Sequence, residues 1–506
     1  MSPSPDSRPP SVADRATRAA PWQIGGKVAV SLFAIVTSAV IVRGLGADTF
    51  GTYTVLQNIL AFALILVMAG MTPAQSRFVP EVEETGKALR PFVRRCLSVQ
   101  LVLWIPISVA AVLLDGPLTE AFELGEAGIV SFGVLLILMS VVFETLVSVL
   151  TARFAIRALV LTQVLVKTIA LVAIAAALWL EGGIRSVLAI YALVHLLGSL
   201  FLWSRLPKEG AAETAIPMRR LLRFAVPVIG TMVVGQVVLR QSETLVLGLC
   251  RSNIEAGYYG AAYNLAQRFM EFVPAALWPL VLATWSAYHV RDPERLPGLI
   301  DRYWRVLLLI TVPITVFGMM FFDRVFWMLY GEEMQPGALL CAGFFGVFLL
   351  TFLCQPIGMA FYVLEKPSIN LRVQGLCAAV NLTLDFLLIP PLGIWGGFLA
   401  VALTFVVGDF ATYWVGRRLM PGLRFPAGYL ARIGLAMLPL LVFLPLRSWI
   451  ENPLQLLLVA FAFGAVLLAS LKLTRVVGPW EVDLLERIPL PGKVRKPLLT
   501  WFGRSV

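Results

Sequence analysis

Residues 87–157 read KALRPFVRRCLSVQLVLWIPISVAAVLLDGPLTEAFELGEAGIVSFGVLLILMSVVFETLVSVLTARFAIR. A basic run (Lys87, Arg90, Arg94, Arg95) leads into an apolar stretch over 93–114. An acidic connection with Asp115, Glu120, Glu123 and Glu126 follows, then a second apolar stretch over 127–151, then Arg153 and Arg157. Each apolar stretch has the roughly 20 residues that a helix needs to cross a bilayer core. Lys and Arg flank the pair, and acidic residues fill the short connection between its members. This pattern predicts a helical pair that enters and leaves the membrane on its positively charged side.

The same alternation runs through the 506-residue chain. It predicts spans at 24–43, 51–73, 93–114, 127–151, 159–180, 186–204, 224–249, 256–284, 304–322, 335–363, 369–389, 394–416, 430–446 and 454–471. The fold class is therefore all-α: a polytopic membrane protein of about 14 transmembrane helices. Apolar residues make up 59% of the chain and charged ones 14%, more apolar surface than a soluble domain can hide. Of 41 Lys and Arg, 33 fall in the tails and even-numbered loops, and only Arg43, Arg185, Arg251, Arg324 and Arg447 fall on the opposite side. Both termini are thus expected in the cytoplasm.

The net charge of +11 does not point to nucleic acid, because the positive charge is confined to loops on one side of the spans. Five scattered cysteines and two distant histidines, His195 and His289, form neither a disulfide framework nor a metal site. No phosphate-cradling GxxxxGK[ST] motif occurs, and the outer loops are short and hold no His or Lys. No catalytic residue, cofactor or metal is expected. Residues 1–21, rich in Pro, Ser, Ala and Arg, read as a disordered cytoplasmic tail. No small-residue cleavage site follows the apolar run 28–42, so no cleaved leader is expected.

Internal repetition divides the chain. Phe50-Gly51-Thr52-Tyr53 opens span 2 and Ala256-Gly257-Tyr258-Tyr259 opens span 8, 206 residues later. Gly183-Ile184 and Gly393-Ile394 open spans 6 and 12. Arg205-Leu206 and Arg418-Leu419 close them. Two six-helix units in parallel orientation are expected: an N-lobe over 22–206 and a C-lobe over 219–420, joined by a cytoplasmic linker over 207–218. Spans 13 and 14 (421–472) are peripheral to them. Residues 473–506 form a tail whose amphipathic stretch Val482–Ile488 lies on the inner leaflet.

Arg43-Gly44-Leu45-Gly46-Ala47-Asp48-Thr49-Phe50-Gly51-Thr52-Tyr53 resembles the first outer loop of the polysaccharide transporter (oligosaccharide flippase) family of the multidrug/oligosaccharidyl-lipid/polysaccharide exporter superfamily. The resemblance continues through Ala69-Gly70-Met71, Gln75–Glu81, Phe224-Ala225-Val226-Pro227, Gly257-Tyr258-Tyr259 and Gly393-Ile394-Trp395-Gly396-Gly397. It implies translocation of a polyprenyl-diphosphate-linked oligosaccharide across the bacterial cytoplasmic (inner) membrane, for cell-surface polysaccharide biosynthesis. Expected partners are that substrate, membrane lipids and polysaccharide assembly enzymes, with no nucleic acid. At the outer end of span 7 the family often carries an aspartate, where this chain has Glu243. Lipid-linked peptidoglycan precursor flippases and multidrug/cation antiporters share the superfamily fold. A membrane glycan polymerase or ligase, an enzyme, would need a large outer catalytic loop, which is missing here.

Ionisable residues within spans are costly and face a cavity or a partner. Arg240 and Glu243 on span 7, and Arg268 and Glu271 on span 8, are each three residues apart and share a helix face. With the diphosphate substrate that the resemblance implies, the planar forks of Arg240 and Arg268 suit its oxygens. Alternatively each Arg is neutralised by its own helical Glu. Arg77, at a cytoplasmic span end, either guards the inner mouth or snorkels to headgroups. Asp385 and Asp409 either couple transport to a cation or hydrogen-bond a neighbouring helix. Glu144 and Lys167 are expected to pair across spans 4 and 5, and His195 is expected to be a packing residue.

Overall fold

The computed structural model describes residues 12–478 except Ala69, residues 85–87, Phe154, residues 208–215, Arg240, Gln241, Asp292 and Glu365. Residues 1–11, most of the 207–218 linker and the amphipathic stretch Val482–Ile488 therefore lie outside the described residues, as does Arg240.

Among the described residues every regular element is a helix, and each of the predicted spans coincides with one. Spans 1 and 2 form α1 (Val12–Met68), which α2 (Met71–Glu84) extends. Then follow α3 (Leu89–Ala121), α4 (Ile129–Ala152), α5 (Ile156–Trp179) and α6 (Ile184–Ser204). Span 7 comprises α7 (Met218–Leu239) and α8 (Ser242–Cys250), and span 8 is α9 (Asn253–Arg291). Next come α10 (Leu296–Tyr330), α11 (Pro336–Val363), α12 (Pro367–Leu392) and α13 (Ile394–Leu419). Span 13 is α14 (Ala427–Met437) continued by a 3-10 helix (Leu438–Trp449), and span 14 is α15 (Pro453–Leu473). Eleven helices among the described residues are long and apolar enough to cross a membrane.

Local chemistry explains the departures from simple span-and-loop order. Between spans 1 and 2 the helix is interrupted only at Gly46 (φ 74°, ψ 166°), a conformation that glycine adopts without a Cβ clash. One residue turns the chain where a short loop was expected. In span 13, Pro439 and Pro445 remove backbone donors, and the chain continues as the tighter 3-10 form from Leu438.

The helices cluster into two compact units. The first comprises Met1–Gly260 with Ala378–Gly397. In it α1 packs on α4, α5, α7 and α8, and α2 packs on α4 and α7. Elements of both sequence halves therefore meet inside this one unit. The second comprises Ala261–Cys377 with Phe398–Val506. Here α10 lies along α11 and also against α14. Phe321, Ile433, Leu440, Val459 and Phe463 form an apolar cluster that fixes α14 and α15 to α10.

Candidate functional site

Ser242 and Glu243 open α8, immediately after the undescribed pair 240–241. Asn381 and Asp385 lie one turn apart on α12 and so share a face. These residues of the first unit converge on one buried polar cluster. Glu243, Asn381 and Asp385 are 1%, 0% and 0% exposed. Asn381 Nδ2 donates to Glu243 Oε1 at 2.9 Å. The Ser242 hydroxyl stands 3.0 Å from Asn381 Oδ1 and 2.9 Å from Asp385 Oδ2. It has one proton and can donate to only one of them at a time. Tyr259 closes the cluster from α9, its hydroxyl 3.5 Å from the Gly397 carbonyl oxygen. A Cβ at Gly397 would stand 2.9 Å from the Tyr259 ring and 3.4 Å from Glu243 Cβ.

Glu243 Oε2 and Asp385 Oδ1 receive no hydrogen bond from the described residues. Two adjacent carboxylates with neutral amide and hydroxyl neighbours make an acidic, oxygen-only set, the chemistry that takes up protons or hard cations.

The other expected site residues lie elsewhere. Arg268 and Glu271 are exposed on α9, and Gln267 Nε2 donates to Glu271 Oε1 at 2.7 Å. Asp409 is half-buried on α13 in the second unit. Its Oδ2 receives no hydrogen bond from the described residues, and its backbone oxygen accepts from Cys354 Sγ at 3.3 Å. His195 is a satisfied packing residue: its Nδ1 is 2.9 Å from Ser140 Oγ, and its ring stacks on Phe143 at 5.0 Å. Lys167 stands over the Tyr191 ring.

Arg77 is exposed and lies 3.5 Å from Glu81. The stronger partner of Glu81 is Arg220, at the start of α7, whose two terminal nitrogens reach its carboxylate at 2.5 and 3.0 Å. Phe78 lies under both guanidiniums, 5.1 Å from Arg220 and 5.7 Å from Arg77. At the opposite ends of these helices, Asn253 Nδ2 donates to the carbonyls of Phe122 and Glu123 at 2.6 and 3.2 Å. Gly51 packs there against Gly257 and the Asn253 backbone.

Single-helix spacing does not find the Glu243–Asp385 cluster or the Glu81–Arg220 pair, because each joins residues about 140 apart in sequence. One signal was present: Asn381 and Asp385 form an i, i+4 polar pair inside an apolar run.

This is the fold of polytopic transporters. The chain matches a solved lipid II flippase, MurJ, in an inward-closed conformation, with a TM-score of 0.71 and 14% identity over 93% of this chain and 100% of that one. It also matches an inward-facing multidrug resistance MATE transporter of the MOP superfamily, with a TM-score of 0.64 and 13% identity over 78% and 94%. A curated relative, a probable low-salt glycan biosynthesis flippase of Haloferax volcanii, is 23% identical over 169 residues, which are 33% of this chain. The match spans only 35% of that relative's length. The polysaccharide biosynthesis protein family model matches residues 17–277. The chain belongs to that family and is a multi-pass membrane protein.

Proposed function

We propose that this chain is a flippase that carries a polyprenyl-diphosphate-linked oligosaccharide across the bacterial cytoplasmic membrane by alternating access, without bond chemistry. One observation carries the reading: a polysaccharide biosynthesis family match over 17–277 on a chain whose fold follows a lipid II flippase over 93% of its length. The same match makes a lipid-linked peptidoglycan precursor the second candidate substrate. A multidrug antiporter is less well supported, because the MATE likeness covers 78% of the chain. Both termini are placed in the cytoplasm by the 33 basic residues on that side, and the lobes are the sequence repeats 22–206 and 219–420.

In this reading Arg268 attracts the diphosphate, and Glu271 is its resting counter-ion. The Glu243–Asp385 cluster takes up the coupling proton or cation, with Asp409 as a secondary acidic position. The deciding experiment is deletion of the gene, followed by identification of the polyprenyl-linked glycan that accumulates on the cytoplasmic side. Complementation then tests the site. Arg268→Ala is expected to abolish export with normal insertion, and Arg268→Lys to restore it only partly, because charge returns without the fork. Normal export by Arg268→Ala combined with Glu271→Ala would show that Arg268 only packs helices.

Glu81 and Arg220 join span 2 of one repeat to span 7 of the other at the ends placed in the cytoplasm. Exposed ion pairs contribute little to stability, so this pair suits a latch that breaks when the inner side opens. Arg220→Gln is expected to raise labelling of an inner-mouth cysteine at position 76 roughly two- to fivefold, the scale of a weak surface pair. Unchanged labelling would remove the latch from the mechanism.

A further inference from the structure

At the end of α5 and α6 placed in the cytoplasm, a groove of about 470 Å³ opens on the surface of the first unit. Arg157 is the second residue of α5, and Arg205 directly follows the last residue of α6. Because the two helices are antiparallel neighbours, both guanidiniums stand at the same end, and both line the groove. Behind them its walls are apolar, formed by Leu161, Leu165 and Phe201. Among the described residues no carboxylate lines it.

Two features show that this is more than a stretch of lipid-facing helix. First, the Arg205 cation is held in place. The Arg205 guanidinium lies 4.7 Å from the centre of the Phe201 ring. Two residues further along α6, Trp203 receives Arg90 and Arg94 of α3, and Arg90 also donates to the Leu206 carbonyl. Arginines stacked on aromatic rings at a helix end mark the depth of lipid headgroups. Second, the apolar wall continues along the helix. Leu161, Leu165, Ile169 and Val172 recur at helical spacing and are all exposed, which makes a continuous track from the arginines toward the bilayer centre.

We propose that this groove is a binding site for one anionic phospholipid of the inner leaflet, its phosphate on Arg157 and Arg205 and an acyl chain along Leu161, Leu165 and Phe201. Charge complementarity selects that occupant. A phosphate matches the two guanidiniums at one end of the slot and an acyl chain matches its apolar walls, whereas a zwitterionic headgroup brings its own cation to the same end. The site shares none of its lining residues with the carboxylate cluster. It anchors the first unit to the leaflet from which substrate is drawn.

The test uses the full-length protein in detergent, titrated with phosphatidylglycerol or phosphatidylcholine and read by native mass spectrometry. Wild type is expected to retain phosphatidylglycerol preferentially. Arg157→Ala with Arg205→Ala should weaken that retention about twenty-five-fold, near fivefold for each guanidinium, and leave phosphatidylcholine unchanged. The double Lys variant should keep most of it, since an ammonium still meets a phosphate. Leu165→Trp, at an exposed position that the fold tolerates, should fill the slot and reduce retention with both arginines intact. Unchanged retention in the double Ala variant, or in Leu165→Trp, overturns the proposal. So does an equal loss in an Arg417→Ala/Arg418→Ala control, or preferential retention of a polyprenyl diphosphate over phosphatidylglycerol.

Discussion

Asp385→Asn is expected to lower glycan export at least tenfold while leaving the amount of inserted protein near wild type. Asp385 is 0% exposed, and its Oδ2 lies 2.9 Å from the Ser242 hydroxyl. Asparagine has nearly the same shape and keeps an oxygen or an amide toward that hydroxyl, so packing should survive. What disappears is one of two adjacent carboxyl groups that, among the described residues, have hydroxyl and amide neighbours. If those groups bind the coupling proton or cation in one state and release it in the other, export loses its driving ion, and a tenfold loss corresponds to about 1.4 kcal/mol. Glu243→Gln should behave alike. Glu243→Asp draws the carboxylate back from Asn381, with which it now makes a 2.9 Å bond, so a loss of a few-fold is expected. The measurement is uptake of labelled lipid-linked glycan into inverted vesicles, against sodium concentration and against pH. Wild-type export by Asp385→Asn, with an unchanged response to both, would make the cluster a helix-packing feature only.

The spans were legible because an apolar run of bilayer length is a one-dimensional signal, and each predicted stretch falls on helical elements, with spans 2, 7 and 13 each divided between two of them. The break at Gly46 was less so. The glycines of Gly44-Leu45-Gly46 announce a turn, but not that a single residue at φ 74° performs it. Charges were legible as a set of ionisable residues within spans, but their grouping was not. Spacing along one helix links Glu243 to Arg240. Across helices, Glu243 is joined through Asn381 and Ser242 to Asp385. Helical periodicity tells which residues share a face, and it is silent on which faces meet. Only packing places α8 against α12. For the same reason spacing does not point to Glu81, whose partner Arg220 belongs to another helix.

The repeat motifs make a further and sharper expectation. Phe50-Gly51-Thr52-Tyr53 and Ala256-Gly257-Tyr258-Tyr259 are equivalent positions of the two sequence halves, and in the structure these two glycines touch. A Cβ on Gly257 would lie 2.9 Å from Gly51 Cα. One on Gly51 would fall on the carbonyl group of Asn253. Asn253 in turn donates from its side chain to Phe122 O and Glu123 O, so the helix ends placed outside are sealed backbone to backbone. A side chain there must push backbone, which cannot rotate away as a flexible side chain could, and overpacking of this kind costs about 1–3 kcal/mol. Gly51→Ala is therefore expected to shift the closed-to-open ratio of the outer side by roughly 5- to 150-fold and to stop export. Gly257→Ala should do the same more weakly, because its clash is shallower. Spin labels at Asp48→Cys and Ser252→Cys, in a chain lacking its five native cysteines, would report the separation by double electron–electron resonance. Gly51→Ala should broaden and lengthen that distance, and Gly257→Ala should fall between it and the parent. If both variants keep the short distance, or if Gly257→Ala proves the more severe, the glycine contact is not what closes the outer side.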